Sequence, residues 1–419
     1  MVYVLSKNGK PLMPCQNVIA RLLLKVKNAK VVRKCPFTIR LLSDSNDYTQ
    51  ELTLGVDTGS ATIGTAVSDN KGNIIYSSQV KVRNDIKRKM DRRRMYRRTR
   101  RNRKTRYRKP RFLNRKNSKR LNRFSPTMIS KFHSHMKEIE FIRSILPISK
   151  LVFETATFDP HLLKNPNLAN EKYKHWGYQQ GPNYGFENTK AAVLNRDNYT
   201  CQICKGKHKD SKLEVHHIVF KSKGGSDEHE NLITLCHTCH YNLHHGIVNP
   251  KFSGKQKGNL KYATQMNSIR IQLLKRFTDA VETFGFITKA NRQLLNLPKD
   301  HHFDAAVIAS EGRSVKYKQN LVFYKTSVSK GDYQQTKGIR SEKRIPTGKI
   351  KSFRKFDKVL YKGSQYFIKG RMSSGYAKLM DIDCVEQQFQ NPKFPKMSNM
   401  IRLSARKTIL CNQKYINLA

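Results

Sequence analysis

Leu52-Thr53-Leu54-Gly55-Val56-Asp57-Thr58-Gly59-Ser60 is the stretch on which the fold turns. Apolar side chains alternate through Leu52, Leu54 and Val56 with the period of a strand, and an acid closes the run at a Thr-Gly-Ser turn. Working outward, Thr62-Ile63-Gly64-Thr65-Ala66-Val67 is a second such run. A turn at Asp69-Asn70-Lys71-Gly72 leads into a third, Asn73-Ile74-Ile75-Tyr76. Three antiparallel strands in a meander is the economical reading. Much later, Lys150-Leu151-Val152-Phe153-Glu154-Thr155 reads as a buried strand with an acid of its own. His301-His302-Phe303-Asp304-Ala305-Ala306-Val307-Ile308-Ala309 reads as a small-residue helix packed on a sheet. Carboxylates from separate elements are hard ligands for Mg²⁺, and two such ions about 3.5–4 Å apart suit phosphodiester hydrolysis. One acid at a strand end is more often a turn or cap residue. Asp57, Glu154 and Asp304 together, inside apolar segments of an acid-poor chain, are harder to dismiss.

The chain has 82 Lys+Arg against 30 Asp+Glu in 419 residues, a formal charge of +52. A solvated surface needs no such imbalance, so the expected partner is nucleic acid. No apolar run approaches the ~20 residues that cross a bilayer. The start, Met1-Val2-Tyr3-Val4-Leu5-Ser6-Lys7, lacks the apolar core of a secretory signal, and a cytoplasmic protein is expected. Residues 81–123 concentrate the charge in Arg92, Arg93, Arg94, Arg97, Arg98, Arg100, Arg101 and Arg103, with Tyr96, Tyr107 and Phe112 interleaved. Like charges at i,i+4 oppose a free helix by roughly 0.2–0.5 kcal/mol each, so a long helix is expected that phosphates stabilise.

Elsewhere, residues 1–50 are mixed, with a short helix candidate at Ala20–Lys25, and His133–Ile139 lies in a helical stretch. An amphipathic helix is expected from Asn259 to Phe284. Beyond Val315 the chain turns β-rich, through Leu321–Tyr324, Asp357–Tyr361, Gln365–Ile368 and Tyr376–Met380, and a small barrel is expected.

Of eight cysteines, Cys201/Cys204 and Cys236/Cys239 form two C-x-x-C pairs; Cys15, Cys35, Cys384 and Cys411 are scattered. Two knuckles about thirty residues apart match a four-thiolate structural zinc site. Between them stand Val215-His216-His217-Ile218, Gly224-Gly225 and Asn231, and after them Cys239-His240-Tyr241-Asn242-Leu243-His244-His245. The bland reading, extra zinc ligands or RNA contacts, leaves this order unexplained.

The order resembles the HNH, or ββα-metal, nucleases. The resemblance implies that His217 is the general base, that Asn231 orients it, and that His216, with His240 and His244 at i and i+4, holds one catalytic divalent ion. His216 stands where many relatives carry Asp. The segments around Asp57, Glu154 and Asp304 look like the three parts of a RuvC-type RNase H site. There a His three residues before the last Asp assists, which is His301, with His302 the adjacent competitor.

Pro11-Leu12-Met13-Pro14, the split carboxylate site, the Arg-rich segment after its first part and the HNH cassette before its third are together similar to IscB. Tyr178-Gln179-Gln180-Gly181 and Gly285-Phe286-Ile287-Thr288-Lys289 add support. These are transposon-encoded, RNA-guided DNA nucleases related to the CRISPR type II effectors. The resemblance implies an α+β multidomain chain with a PLMP domain at 1–50, RuvC segments at 51–83, 124–188 and 251–314, and an Arg-rich bridge helix at 84–123. It further implies an HNH domain at 189–250 and a C-terminal region at 315–419 that meets RNA and the target-adjacent motif. It implies two Mg²⁺ in the RuvC site, one in the HNH site and a structural Zn²⁺. The implied partners are a structured ωRNA guide and double-stranded DNA, bound by a monomeric protein with no membrane. HNH would cut the guide-paired strand and RuvC the displaced one. So small a protein cannot enclose a heteroduplex of ~20 bp alone, so its RNA would serve as scaffold. The competing readings are a guide-independent homing or junction-resolving endonuclease and a catalytically idle nucleic-acid-binding factor.

Overall fold

The computed structural model describes residues 1–46, 48–102, 124–159, 162–163, 182–208, 210–221, 225–250, 252, 260–331, 344–345 and 347–416, without the side chains of 100–102 and 261. Two compact units emerge, one of Met1–Thr157 with Gln265–Ala419, the other of Phe158–Thr264.

In the larger unit, β1 (Val2–Leu5), β2 (Pro11–Cys15), β3 (Ala29–Lys34) and β4 (Phe37–Leu41) form a sheet ordered β2-β1-β4-β3, with α1 (Asn17–Lys25). Val2, Val4, Leu12, Ala20 and Ile39 make its core. Only the helix was legible in sequence, because these strands are only four to six residues long.

The central sheet begins with the expected meander, β5 (Leu52–Asp57), β6 (Thr62–Asp69) and β7 (Asn73–Lys81), each antiparallel to the next. β8 (Lys150–Thr155) lies parallel to β5 on its other side, and β11 (Val281–Phe284) parallel to β8. Pleating splits β5 between two cores. Leu52, Leu54 and Val56 join Ile63, Val67, Leu151 and Phe153 on one face, against Ile139 and Ile142 of α3 (Pro126–Arg143) and Ile269 and Leu273 of α6 (Lys261–Arg276). Full burial of each such side chain contributes roughly 1.5–3 kcal/mol. The opposite face receives α8 (His301–Ala309) through Ala66, Ala305, Ala306 and Ala309.

Close approach of α8 requires glycine beneath it. A Cβ on Gly55 would lie 2.6 Å from the Ala305 carbonyl oxygen, and one on Gly64 would lie 2.6 Å from the His301 carbonyl carbon. A buried ion pair ties α3 to the far side of the sheet. Lys325 Nζ donates to Glu138 Oε1 and to the Tyr76 hydroxyl, both at 2.6 Å.

Two expectations are corrected here. The helix expected over Asn259–Phe284 stops at Arg276, because Val281-Glu282-Thr283-Phe284 alternates as a strand and pairs with β8. Leu321–Tyr324 belongs to no C-terminal barrel: β13 (Leu321–Ser327) pairs with β7 and β18 (Ile409–Tyr415), extending the central sheet. Beyond it, β14 (Lys358–Tyr361), β15 (Ser364–Arg371), β16 (Ala377–Met380) and β17 (Ile401–Ser404) form an antiparallel sheet, open among the described residues in the order β16-β15-β14-β17. Its core is Phe353, Val359, Tyr361, Ile368 and Leu379.

α2 (Ile86–Asn102) carries the Arg-rich stretch, and every described side chain from Asp91 to Thr99 is exposed, Arg92, Arg93, Arg94, Arg97 and Arg98 among them. Arg100 and Arg101 lie on this helix without described side chains, while Arg103 and Tyr178–Gly181 fall outside the described residues. In the smaller unit, α4 (Thr189–Arg196) is capped by Asn188, whose side chain accepts from Ala191 N at 2.9 Å. β9 (Leu213–His217) and β10 (Leu232–Cys236) then form a hairpin that runs into α5 (His237–His244). Among the described residues no helix is long and apolar enough to cross a membrane.

Candidate functional site

The meander and its parallel neighbours bring the sequence-distant acids together. Asp57 at the end of β5 is the cross-strand partner of Glu154 on β8, so both side chains share the face that receives α8. The first turn of α8 supplies His301, whose Nδ1 lies 2.6 Å from Asp57 Oδ2. It also supplies Asp304, whose Oδ1 lies 2.7 Å from Arg292 Nε of α7 (Gly285–Leu294). His302, the competitor, is 2% exposed and packs on Phe303 and Tyr324, so His301 is the histidine that meets the acid.

Electrostatics mark the cluster. Burial and then the Asp57 charge raise the Glu154 carboxyl to about 7. Burial and Asp57 also raise Asp304, against the pull of Arg292, and the hydrogen bond to Asp57 raises His301. Carboxylates that resist ionising together create a demand for positive charge, the donor chemistry a divalent cation fits.

In the smaller unit, the ligand atoms of Cys201, Cys204, Cys236 and Cys239 lie within 4.8 Å of one another. A zinc–thiolate bond of about 2.3 Å sets a tetrahedral edge of about 3.8 Å. Cys204 Sγ and Cys236 Sγ are 3.8 Å apart, so the four thiols fit structural zinc.

His216 at the end of β9 and His240 and His244 on one side of α5 form a second set, with ring nitrogens within 4.8 Å. His240 Nε2 and His244 Nε2 are 3.2 Å apart, close to the edge expected of nitrogens about 2.0–2.1 Å from one ion. Burial, then His240 and His244, lower His216 to about 4, which leaves it neutral and able to ligate. His217 points to the other face of β9 and is partly exposed, with Nε2 2.8 Å from Asp227 Oδ1. Asn231 is 3% exposed; its Oδ1 accepts from Val219 N at 2.8 Å, and its Nδ2 donates to the carbonyls of Val219 and Ser226 at 3.0 and 2.8 Å. It therefore clamps the loop that follows His217, and its influence on the base runs through that backbone.

Sequence reasoning missed three residues. Glu214 Oε2 lies 2.6 Å from His240 Nδ1 and so fixes which nitrogen faces the other histidines. Its position two before His216, on the same strand face, was an available signal. Arg292 and Asp227 carried none, since a cation among 82 and a loop acid stand out only in three dimensions.

Residues 2–181 match the RRXRR protein family and residues 201–246 the HNH endonuclease family. Anaredoxin of Nostoc sp. (strain PCC 7120 / SAG 25.82 / UTEX 2576) is 38% identical over 63 residues, 15% of this chain and 80% of that protein, and over that stretch the two belong to one family. The crystal structure of Streptococcus thermophilus Cas9 in complex with the AGAA PAM is similar with a TM-score of 0.34 and 12% identity, covering 51% of this chain and 30% of the Cas9 chain. The chain carries an HNH endonuclease domain over residues 201–246, downstream of its RRXRR match.

Proposed function

We propose that the chain is an RNA-guided DNA endonuclease of the IscB type, with a split RuvC site at Asp57, Glu154, His301 and Asp304 and an HNH site at His216, His217, Asn231, His240 and His244. The observation that carries this reading is convergence. Three stretches far apart in sequence, β5, β8 and the α7–α8 pair, deliver carboxylates, a histidine and an arginine to one end of a mixed sheet, while a complete HNH set lies in the chain between β8 and β11. The order β7-β6-β5-β8-β11, with only β6 antiparallel to both neighbours, is the pattern expected of an RNase H core.

His216, His240 and His244 would hold one divalent ion, and Asp57, Glu154 and Asp304 a pair; such ions would supply Lewis-acid stabilisation of the phosphate and the leaving oxygen. His217, with its Nε2 hydrogen held by Asp227, takes the proton of the attacking water on Nδ1 at the HNH site. Glu214 keeps His240 in the tautomer that faces the ion. At the carboxylate site, His301 donates its Nδ1 hydrogen to Asp57, which orients the ring and stabilises the imidazolium, while Nε2 takes the proton. The exposed arginines of α2 grip the backbone of a structured ωRNA, and the C-terminal sheet meets RNA and the motif beside the target.

The test is strand-resolved cleavage of a guided duplex. Asp57→Ala retains nicking of the guide-paired strand and His217→Ala retains nicking of the displaced strand. Loss of both cuts from either change, or full activity without RNA, sinks the proposal; the latter result establishes a guide-independent endonuclease.

A further inference from the structure

Phe284 and Phe286 stand in solvent, 38% and 73% exposed, on either side of the glycine that lies against Glu154. Their rings are parallel to within 6°, with centroids 6.1 Å apart. Gly285 lies between them, and a Cβ there would come within 3.0 Å of Glu154 Oε1. Thr283, one residue before Phe284, is the cross-strand partner of Glu154. The ring pair therefore starts one residue from a carboxylate of the proposed RuvC site. The next residue, Ile287, is itself 39% exposed and extends the open apolar patch.

A phenyl ring has no donor or acceptor, so it offers a ligand only a flat π-face. Paired bases in a duplex are stacked on one another and present their edges. An unpaired base has a free face, and base–aromatic stacking is tolerant of sequence because every base has one. Charge favours the same occupant: the chain carries +52, and Lys289 is exposed on the helix that carries Phe286. We propose that Phe286, backed by Phe284, stacks an unpaired base of the DNA strand cut at the carboxylate site and so sets that strand's path past Glu154. The proposal rests on the reading of that site as strand-cutting.

The experiment uses the full chain with Asp57→Ala, so that the strand survives, and a single-stranded oligodeoxynucleotide whose thymidines are replaced by 5-iododeoxyuridine. After irradiation, crosslinked peptides are mapped. Crosslinks at Phe284 or Phe286 are expected, with loss on Phe286→Leu and retention on Phe286→Trp. In the otherwise native chain, Phe286→Leu lowers cutting of the displaced strand by about 5- to 150-fold and leaves the guide-paired strand unaffected. Crosslinks confined to other segments, crosslinks seen only with a 5-iodouridine RNA, or an unchanged displaced-strand rate in Phe286→Leu each overturn the proposal. Failure of the underlying reading looks different: Asp57→Ala then leaves both cuts intact, whatever the crosslinks show.

Discussion

Gly64→Ala is a one-carbon test of how the carboxylate site is assembled. Gly64 is the cross-strand partner of Asp57, and α8 crosses directly above it. The added Cβ would sit 2.6 Å from the His301 carbonyl carbon. Non-bonded carbons rest about 3.5–4.0 Å apart, so the first turn of α8 must retreat by about 1 Å. His301 Nδ1 now lies 2.6 Å from Asp57 Oδ2. The retreat takes it past the distance at which a hydrogen bond holds, and carries Asp304 away with it. A misplacement of about 1 Å costs catalysis on the order of 100-fold, and overpacking of this kind costs about 1–3 kcal/mol of stability. The assay is time-resolved cutting of a guided duplex labelled separately on each strand. Displaced-strand cutting should fall about 100-fold while guide-paired cutting holds, which provides an internal control for folding and RNA loading. Displaced-strand cutting at the native rate, in a folded variant, would refute the argument that helix-to-sheet contact sets this site.

Two further outcomes follow from the structure. Cys204→Ser or Cys236→Ser, or zinc removal by a chelator, should raise hydrogen exchange across β9, β10 and α5 and leave β5–β8 protected, because the four thiols are the centre of the small core around Leu235; matching exchange in variant and native chains would count against structural zinc. His135 on α3 is fully buried, with Nδ1 on the Lys131 carbonyl, and burial lowers it to about 4. The unfolded imidazole takes up its proton first, so this residue's contribution is intact above about pH 6.5 and is lost as pH falls toward 4, by about 3 kcal/mol; denaturant unfolding at stepped pH should show a shallower loss in His135→Met.

The meander around Asp57 was legible because local pattern decides it: alternating apolar residues, a Gly-containing turn and an acid lie within one window. The HNH set was legible for a similar reason, since ligand spacing in knuckles and on one helix face is a property of short segments. What escaped depends on contacts across the chain. β11 is four residues long, partly exposed, and follows α6 after only four residues, so only pairing with β8 identifies it as a strand. His301 was the expected histidine, and setting aside its competitor His302 needed the close packing of α8 on Gly55 and Gly64 from two other strands. Arg292 and Glu214 act on groups distant in sequence and look ordinary beside their neighbours.

The placement of the HNH set between the acids of the central sheet has a topological reason. β8 and β11 are parallel neighbours, and parallel strands require a crossover of a dozen or more residues. In this chain the crossover runs from Thr155 to Val281, with α6 burying Ile269 and Leu273 on the sheet as its packed part. The compact unit Phe158–Thr264 lies within that connection. Its presence breaks no hydrogen-bond ladder, and each doubling of a loop costs only about 0.6 kcal/mol in closure entropy. The sheet therefore tolerates an inserted HNH domain at this point far better than within β5–β7, where the connections are tight turns. The order acid, acid, HNH, acid in the sequence is what that tolerance produces.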